Sequence, residues 1–447
     1  MTTRRLALSL FAASMLAPTS AGAQLSSSPS NAGTSVLGSQ VSVGAFYNSY
    51  SVPPMWFRGG IASPAIGDLA RILRRAPFDG FSAGPQLATQ VEAARLTAAS
   101  GRPTDISAAE RAVSGAWVAY ATWMKRQTPG MIYAYPVLAP QGGRTDLILL
   151  SAASAPSLQA HLNSVANVNP FYAQLREAAW AEAQVSGNMT PDPRLLANLD
   201  RARSLPAGGR FVFVNSATQR LTMYDNGQPV DSMKVVVGNK AKFGLPTPLI
   251  ASVIHYMTFN PYWNVPHHLV RKMVANPAFL KDPAKYLKSK KYEIMSDWTE
   301  TATVLSPDTV DWKAVLAGEK QVRVRQLPGP LNSMGQMKFP FPSGQDIYLH
   351  DTPTREYFAL ENRALSNGCV RLEAAPRLAR WLLGGDAVPP SKDPEIRVKL
   401  PQGVPVYLTY LTAQPTTAGV AYLPDIYGWD VPGAQMAAVT GPISASR

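Results

Sequence analysis

The chain has 447 residues, 46% of them hydrophobic and only 16% charged, with a net charge of +13. That length and balance exclude a disordered chain and supply core material for about two to three domains. One cysteine excludes an internal disulfide framework. No helix-turn-helix, zinc-finger or RNA-recognition pattern accompanies the basic charge, so nucleic acid is not the expected partner; carboxylate-rich peptides or anionic surfaces suit it better.

The N-terminus reads Met1-Thr2-Thr3-Arg4-Arg5, then apolar from Leu6 to Pro18, then Ala21-Gly22-Ala23. A basic start, a short apolar run and an A-x-A site predict a secretory signal peptide over residues 1–23, cleaved ahead of Gln24. The alternative is an uncleaved N-terminal anchor. Losing Arg4 and Arg5 leaves a charge of about +11. No later stretch approaches about 18 consecutive apolar residues. In the oxidising compartment this implies, an unpaired thiol is a liability unless buried or used, so Cys369 is either an inert core residue or a working nucleophile.

Residues 24–52 are rich in Ser, Gly and Asn and predict a flexible leader. Over 53–205 the pattern is helical. Ile66, Leu69, Ala70, Ile72 and Leu73 recur at a period near 3.6, Leu87 to Ala98 does likewise, and alanine-rich stretches at Ala109–Trp123 and Ala173–Ala183 add further helices. No catalytic signature falls in this half, where His161 stands alone. Asn188 to Pro206, punctuated by Pro191, Pro193 and Pro206, predicts a junction. Strands follow: Phe211–Val214, then Leu221–Tyr224, a turn at Asp225-Asn226-Gly227, and Met233–Val237, with Asn-Gly as the hairpin signal.

The stretch 259–326 is irregular and reads as a lid or insertion. Its Lys281, Lys285, Lys288, Lys290 and Lys291 form either a solvated basic face or a cleft rim that attracts acidic peptide. Strands return over 340–410, with one helix opening near Pro376, packing through Leu378, Trp381 and Leu382, and ending at Gly384-Gly385. Residues 413–447 form a C-terminal extension whose end, beyond about Asp430, is expected to fray. The fold class is therefore α+β and multidomain: a helical N-terminal domain, then a β-rich domain at 206–412 with an inserted lid region.

Chemistry concentrates in Ile347-Tyr348-Leu349-His350-Asp351-Thr352-Pro353 and Ser366-Asn367-Gly368-Cys369-Val370-Arg371-Leu372. A thiol attacks as thiolate, and a nearby imidazole can take its proton and hold the ion pair. Glycine before the cysteine permits a turn at positive φ that aims backbone N–H groups at one point, as an oxyanion hole requires. Arg371, two residues on, shares a strand face with the cysteine and is suited to hold a carboxylate; the plain alternative is a surface arginine paired with a neighbouring acid.

Fifteen residues separate His350 from Ser366, and the resulting H-x15-S-N-G-C-V-R resembles the signature of the L,D-transpeptidase (YkuD-type) catalytic domain. Further blocks carry the likeness in order: Asn260-Pro261-Tyr262-Trp263-Asn264-Val265-Pro266, Arg325-Gln326-Leu327-Pro328-Gly329-Pro330, Met337-Lys338-Phe339, and Asp425-Ile426-Tyr427-Gly428, the last resembling the end of the larger proteobacterial members. The likeness covers roughly 206–430, and the helical half resembles, more faintly, the scaffold domain of the same enzymes.

The resemblance implies a periplasmic enzyme acting on peptidoglycan stem peptides as donor and acceptor, with no metal or organic cofactor. It implies Cys369 as nucleophile and His350 as base. Gly368 and Cys369 N–H groups would form the oxyanion hole, the Asp351 carbonyl would orient the histidine, and Ser366 and Asn367 would complete the turn. Tyr348, Trp263 and Arg371 are expected to line the cleft. Cell-wall synthesis proteins are candidate partners of the scaffold. Most members carry histidine where this chain has Asn367, which cannot titrate. The junction at 184–206 is also too short for the small peptidoglycan-binding domain of the larger relatives.

The resemblance implies 3-3 cross-linking first. Transfer from the bond after stem residue one (1-3 links), L,D-carboxypeptidase hydrolysis and a non-catalytic wall-binding role remain alternatives. His255 and His267-His268 lack an H-E-x-x-H or cysteine context for zinc. A papain-like enzyme would reverse the order of cysteine and histidine.

Overall fold

The computed structural model describes residues 43–50, 52–240 and 245–431, so the expected signal peptide, most of the expected leader and the tail from 432 lie outside the described residues. Where the leader is described, it differs from the expectation. Residues 43–49 are helical, and Val43 and Phe46, three apart on one face, are buried in the helical core. Tyr47 adds a hydroxyl bond to the buried Glu110 carboxylate (2.7 Å).

The helical half comprises α1 (Ala65–Arg75), α2 (Gly84–Ala98), α3 (Pro103–Met124), α4 (Thr145–Ala153), α5 (Leu158–Asn167), α6 (Pro170–Ser186) and α7 (Pro193–Ala202). The periodic residues of α1 face inward, with Ile66, Leu69 and Leu73 at most 1% exposed. α3 buries Val113, Trp117, Tyr120 and Met124. At the centre, Asp79 accepts from the hydroxyls of Tyr120 and Tyr172 (2.9 Å each) and from Arg176 (3.3 Å), which offsets the cost of burying its charge.

α7 occupies the stretch read as a junction. Pro193 sits in its first turn, where a missing N–H costs nothing, and Asp192 caps it by accepting from Arg194 N–H (2.8 Å). One of the three prolines that looked like punctuation, Pro193, is thus a helix start.

A two-residue strand of the helical half, β1 (Ile132–Tyr133), joins the main sheet, whose own strands are β2 (Phe211–Asn215), β3 (Arg220–Asp225), β4 (Gln228–Gly238) and β5 (Ile250–Phe259). Asn226 (φ 48°) and Gly227 (φ 74°) both take positive φ in the β3–β4 turn, the geometry Asn-Gly favours. The second half supplies β10 (Met337–Pro340), β11 (Tyr348–His350), β12 (Ala364–Ser366), β13 (Val370–Leu372) and β14 (Ile396–Thr409). β14 bonds both β2 and β5, so the ends of the sheet meet. Inside lie Val212, Leu221, Val235, Ile254, Leu349, Val370 and Val406, closed by α12 (Ala375–Leu383), whose C-cap is Gly384 at φ 71°.

Between β5 and β10 the chain forms a subdomain with its own core, more regular than its sequence suggested. A four-stranded sheet, β6 (Trp263–Asn264), β7 (Tyr292–Met295), β8 (Val304–Leu305) and β9 (Arg323–Gln326), packs with α8 (His267–Val274), α9 (Pro277–Lys281), α10 (Pro283–Ser289) and α11 (Trp312–Ala317) around Phe279, Val270, Val315 and Val324. Its strands of two to four residues carry no readable alternation, which hid them in the sequence.

After β14 the chain returns to the helical half. The hairpin β15 (Ala413–Thr416) and β16 (Gly419–Tyr422) lies on α6, where Val420 N–H donates to Glu182 (3.0 Å) and Arg194 covers the Tyr422 ring. Ala413 therefore belongs to the helical core, as do Phe211, Phe213, Ala251 and Tyr407 from the sheet face that packs against it.

Candidate active site

Strand register assembles the site. β11 lies antiparallel to β10 with His350 opposite Lys338, and parallel to β13 with His350 opposite Arg371. Opposed residues of a sheet project to the same face, as do residues two apart along a strand. Lys338, His350 and Arg371 thus form a basic row, and Tyr348 and Cys369 join the same face one step along.

The turn that presents Cys369 is fixed by hydrogen bonds on each side. Ser366 Oγ donates to the Cys369 carbonyl (2.6 Å) and accepts from Gly368 N–H (3.2 Å). Thr247 Oγ1 donates to the Gly368 carbonyl (2.8 Å) and accepts from Gly238 N–H (2.8 Å). Gly368 takes φ +108°, where a side chain is strained, and an added Cβ would also meet Ile347 Cδ1 at 2.8 Å. Of the two backbone donors expected for an oxyanion hole, Gly368 N–H is already engaged by Ser366. Cys369 N–H takes no part in the bonds of the turn among the described residues.

His350 is buried, and its Nδ1 lies 2.5 Å from the Asp351 carbonyl oxygen. A carbonyl only accepts, so Nδ1 carries the proton and Nε2 keeps a lone pair. The Asp351 side chain holds this arrangement, accepting from Gln336 N–H (2.9 Å) and from Arg355 (2.6 Å). A side chain at Gly335 (φ +63°) would strike that carboxylate.

Burial, then the Arg371 charge, holds the imidazole at about 3, far below its ordinary value. Burial pushes the Cys369 thiol up, against the opposing pull of a Tyr348 backbone hydrogen bond and of Arg371. The thiol's hydrogen bond goes to the Asp346 carbonyl (3.6 Å), not to the imidazole. Both shifts favour the neutral forms, a thiol and an imidazole, over the ion pair that the residue types alone suggest.

Arg371 has no carboxylate partner among the described residues. Its Nε is buried without a hydrogen bond, and its guanidinium lies over the Tyr357 ring (5.6 Å). Tyr348 stands between Asp346, to which its hydroxyl donates (3.3 Å), and the Lys338 ammonium. Trp263 pairs with Gln326 in the subdomain sheet and meets the Tyr292 ring. Asn367 is half-buried and holds none of the turn's side-chain bonds.

Asp346 and Thr247 carried no sequence signal, and Lys338, though inside the Met337-Lys338-Phe339 block, was given no role there. A cross-strand neighbour and a loop hydroxyl become visible only through register. Among the described residues no group of three or more His, Cys, Asp or Glu is placed to hold a metal ion.

Comparison with known proteins agrees with this geometry. Residues 209–394 match the L,D-transpeptidase catalytic domain (YkuD), and residues 41–178 match a scaffold domain. The chain is similar to a protein of Haemophilus influenzae named "Putative L,D-transpeptidase", with 28% identity over 394 residues, covering 86% of this chain and 77% of the relative. The thiol turn and the oriented imidazole fall within the matched region, so the chain carries a YkuD-type L,D-transpeptidase catalytic domain at 209–394 joined to a scaffold domain, and its enzymatic class is that of an L,D-transpeptidase.

Proposed function

We propose that the chain is a periplasmic peptidoglycan L,D-transpeptidase in which Cys369 is the nucleophile and His350 the base. The observation that carries the reading is the imidazole tautomer. With Nδ1–H given to the Asp351 carbonyl, Nε2 is the ring nitrogen left to accept a proton, on a histidine that shares its strand face with Cys369.

In the first half-reaction Sγ bonds to the stem-peptide carbonyl carbon while the thiol proton passes to Nε2. The tetrahedral oxyanion is stabilised by Cys369 N–H. The amide C–N bond then breaks, the amine leaves with the proton from Nε2, and a thioester remains. In the second half-reaction the amine of another stem attacks, Nε2 takes its proton, the C–S bond breaks and the thiol is restored.

The donor bond is the one between the diaminopimelate at stem position three and the D-alanine at four, and the product is a 3-3 cross-link. Arg371, a half-buried cation with no acid of its own among the described residues, is the group on this face suited to the free carboxylate of such a peptide. Lys338 adds positive charge beside it.

The test is incubation of the purified protein with sacculi, digestion, and identification of new muropeptides by mass. Wild type is expected to yield 3-3 dimers and Cys369→Ala none, with the fold intact. Dimers linked through stem residue one, or shortened monomers, would replace the donor assignment or replace transfer by hydrolysis. A carbapenem, whose ring carbonyl resembles the scissile one, is expected to add one drug mass to wild type and none to Cys369→Ala. No new muropeptide and no adduct from folded protein would overturn the reading.

A further inference from the structure

Two peptide planes flank the Cys369 α-carbon. The plane after it is held by Ser366 on the Cys369 carbonyl. The plane before it contains the Gly368 carbonyl and the Cys369 N–H, which point in opposite directions because the peptide is planar and trans. Fixing that carbonyl therefore fixes the direction of the N–H. The group that fixes it is Thr247 Oγ1, at 2.8 Å.

Thr247 is itself held from outside the catalytic sheet. The Tyr427 hydroxyl donates to the Gly238 carbonyl (2.7 Å) and accepts from Thr247 N–H (3.4 Å), while Gly238 N–H donates to Thr247 Oγ1. Tyr427 is wholly buried, stacked on Tyr410 at 4.7 Å. The Tyr410 hydroxyl accepts from Tyr427 N–H (3.1 Å) and donates to Asp425 (2.8 Å), whose carboxylate also collects the N–H groups of Trp429 and Asp430 (2.9 Å each). Asp430 in turn is seized by α7: Arg201 donates to its carboxylate (2.7 Å), and Asn198 does so at 3.3 Å. The links are buried, those to Asp425 only partly, and such groups are costly to leave unpaired.

We propose that Thr247 and Tyr427 are positioning residues for the acylation step: through the Gly368 carbonyl they aim Cys369 N–H at the developing oxyanion, and the Asp425–Asp430 strap sets that aim from α7 of the helical half. The proposal rests on the transpeptidase reading, and its test separates the two. Neither residue touches the reacting atoms. Their effect belongs to reactions that build negative charge on a carbonyl oxygen and is absent from a simple displacement at sulfur.

The full chain is compared with Thr247→Val, Thr247→Ser and Tyr427→Phe using two probes of Cys369. Carbapenem acylation passes through an oxyanion; alkylation by iodoacetamide does not. Thr247→Val and Tyr427→Phe are expected to slow acylation about ten-fold or more, with alkylation within about two-fold of wild type. Thr247→Ser keeps the hydroxyl and is expected to restore acylation. Asn198→Ala, at the far end of the strap, is expected to slow acylation about two- to five-fold.

Equal loss of both rates would mean a collapsed turn and overturn the positioning role, as would unchanged acylation or failed rescue by serine. If Thr247→Val does not fold, the Tyr427→Phe comparison decides in the same way. An unchanged Asn198→Ala overturns the coupling to α7. A wild type that is alkylated but never acylated overturns the transpeptidase reading itself.

Discussion

Burial governs the protonation of the two central groups more than their proximity does. His350 at about 3 and a thiol pushed above its ordinary range both favour neutral forms, and Arg371 beside them opposes an imidazolium further. An imidazole so held is unprotonated over the whole neutral range but weak as a base, so the proton is expected to move as the S–C bond forms rather than beforehand. The sign is checkable. Because the thiol is raised, its thiolate fraction at pH 7 is below that of a free cysteine. Iodoacetamide alkylation of Cys369 is expected to climb with pH through and beyond the ordinary thiol range, with no inflection near neutrality. His350→Ala is expected to leave that profile in place while abolishing cross-linking; an inflection near neutral pH that vanishes in His350→Ala would restore the ion pair. Cys369 and His350 were legible because their chemistry is written in contiguous motifs. Lys338 and Thr247 were not, because nothing local says that Lys338 lies opposite His350 or that Thr247 reaches Gly368 across 121 positions.

At the scale of elements, local rules carried as far as local rules fix geometry. Asn226-Gly227 specified its hairpin, and Gly384 specified the end of α12, because each needs a positive φ that few other residues accept. α7 was missed because its first-turn proline and capping aspartate read equally as a loop. The elements inside the 259–326 insertion were not read because its short strands and helices are stabilised by a shared core rather than by pattern. The nucleophile turn combines both kinds of control: glycine permits φ +108°, and Ser366 and Thr247 select it. Gly368→Ala is expected to lower stability by about 1–3 kcal/mol through backbone strain and to lose nearly all cross-linking, since the N–H of residue 369 would be turned away. Denaturant midpoints and the muropeptide assay measure the two effects. An active variant of parental stability would remove the turn from the account.

Over the whole molecule, the two halves are interlocked rather than strung in series. The chain crosses from helices to sheet after α7, and β15, β16 and the strap bring it back. The sequence showed a change of period near residue 210, but not this return, since a hairpin of four-residue strands against α6 has no distinctive signature. Ending the chain at 412 is expected to strip the partner from fully buried Arg201, a loss on the order of 3–5 kcal/mol. The shortened protein is expected to unfold at lower urea than the full chain and to lose carbapenem acylation. An unchanged midpoint would show that the return segment contributes nothing.

The same return has a meaning in time. Asn198 and Asp430 are separated by 232 positions, so their bond closes one of the longest loops in the chain. A chain threaded outward from its N-terminus would have all of its helices and most of its sheet in hand before the residues that complete the nucleophile turn emerge. The reactive thiol would thus reach its working geometry as one of the last events of assembly, when little unfolded chain remains for it to attack.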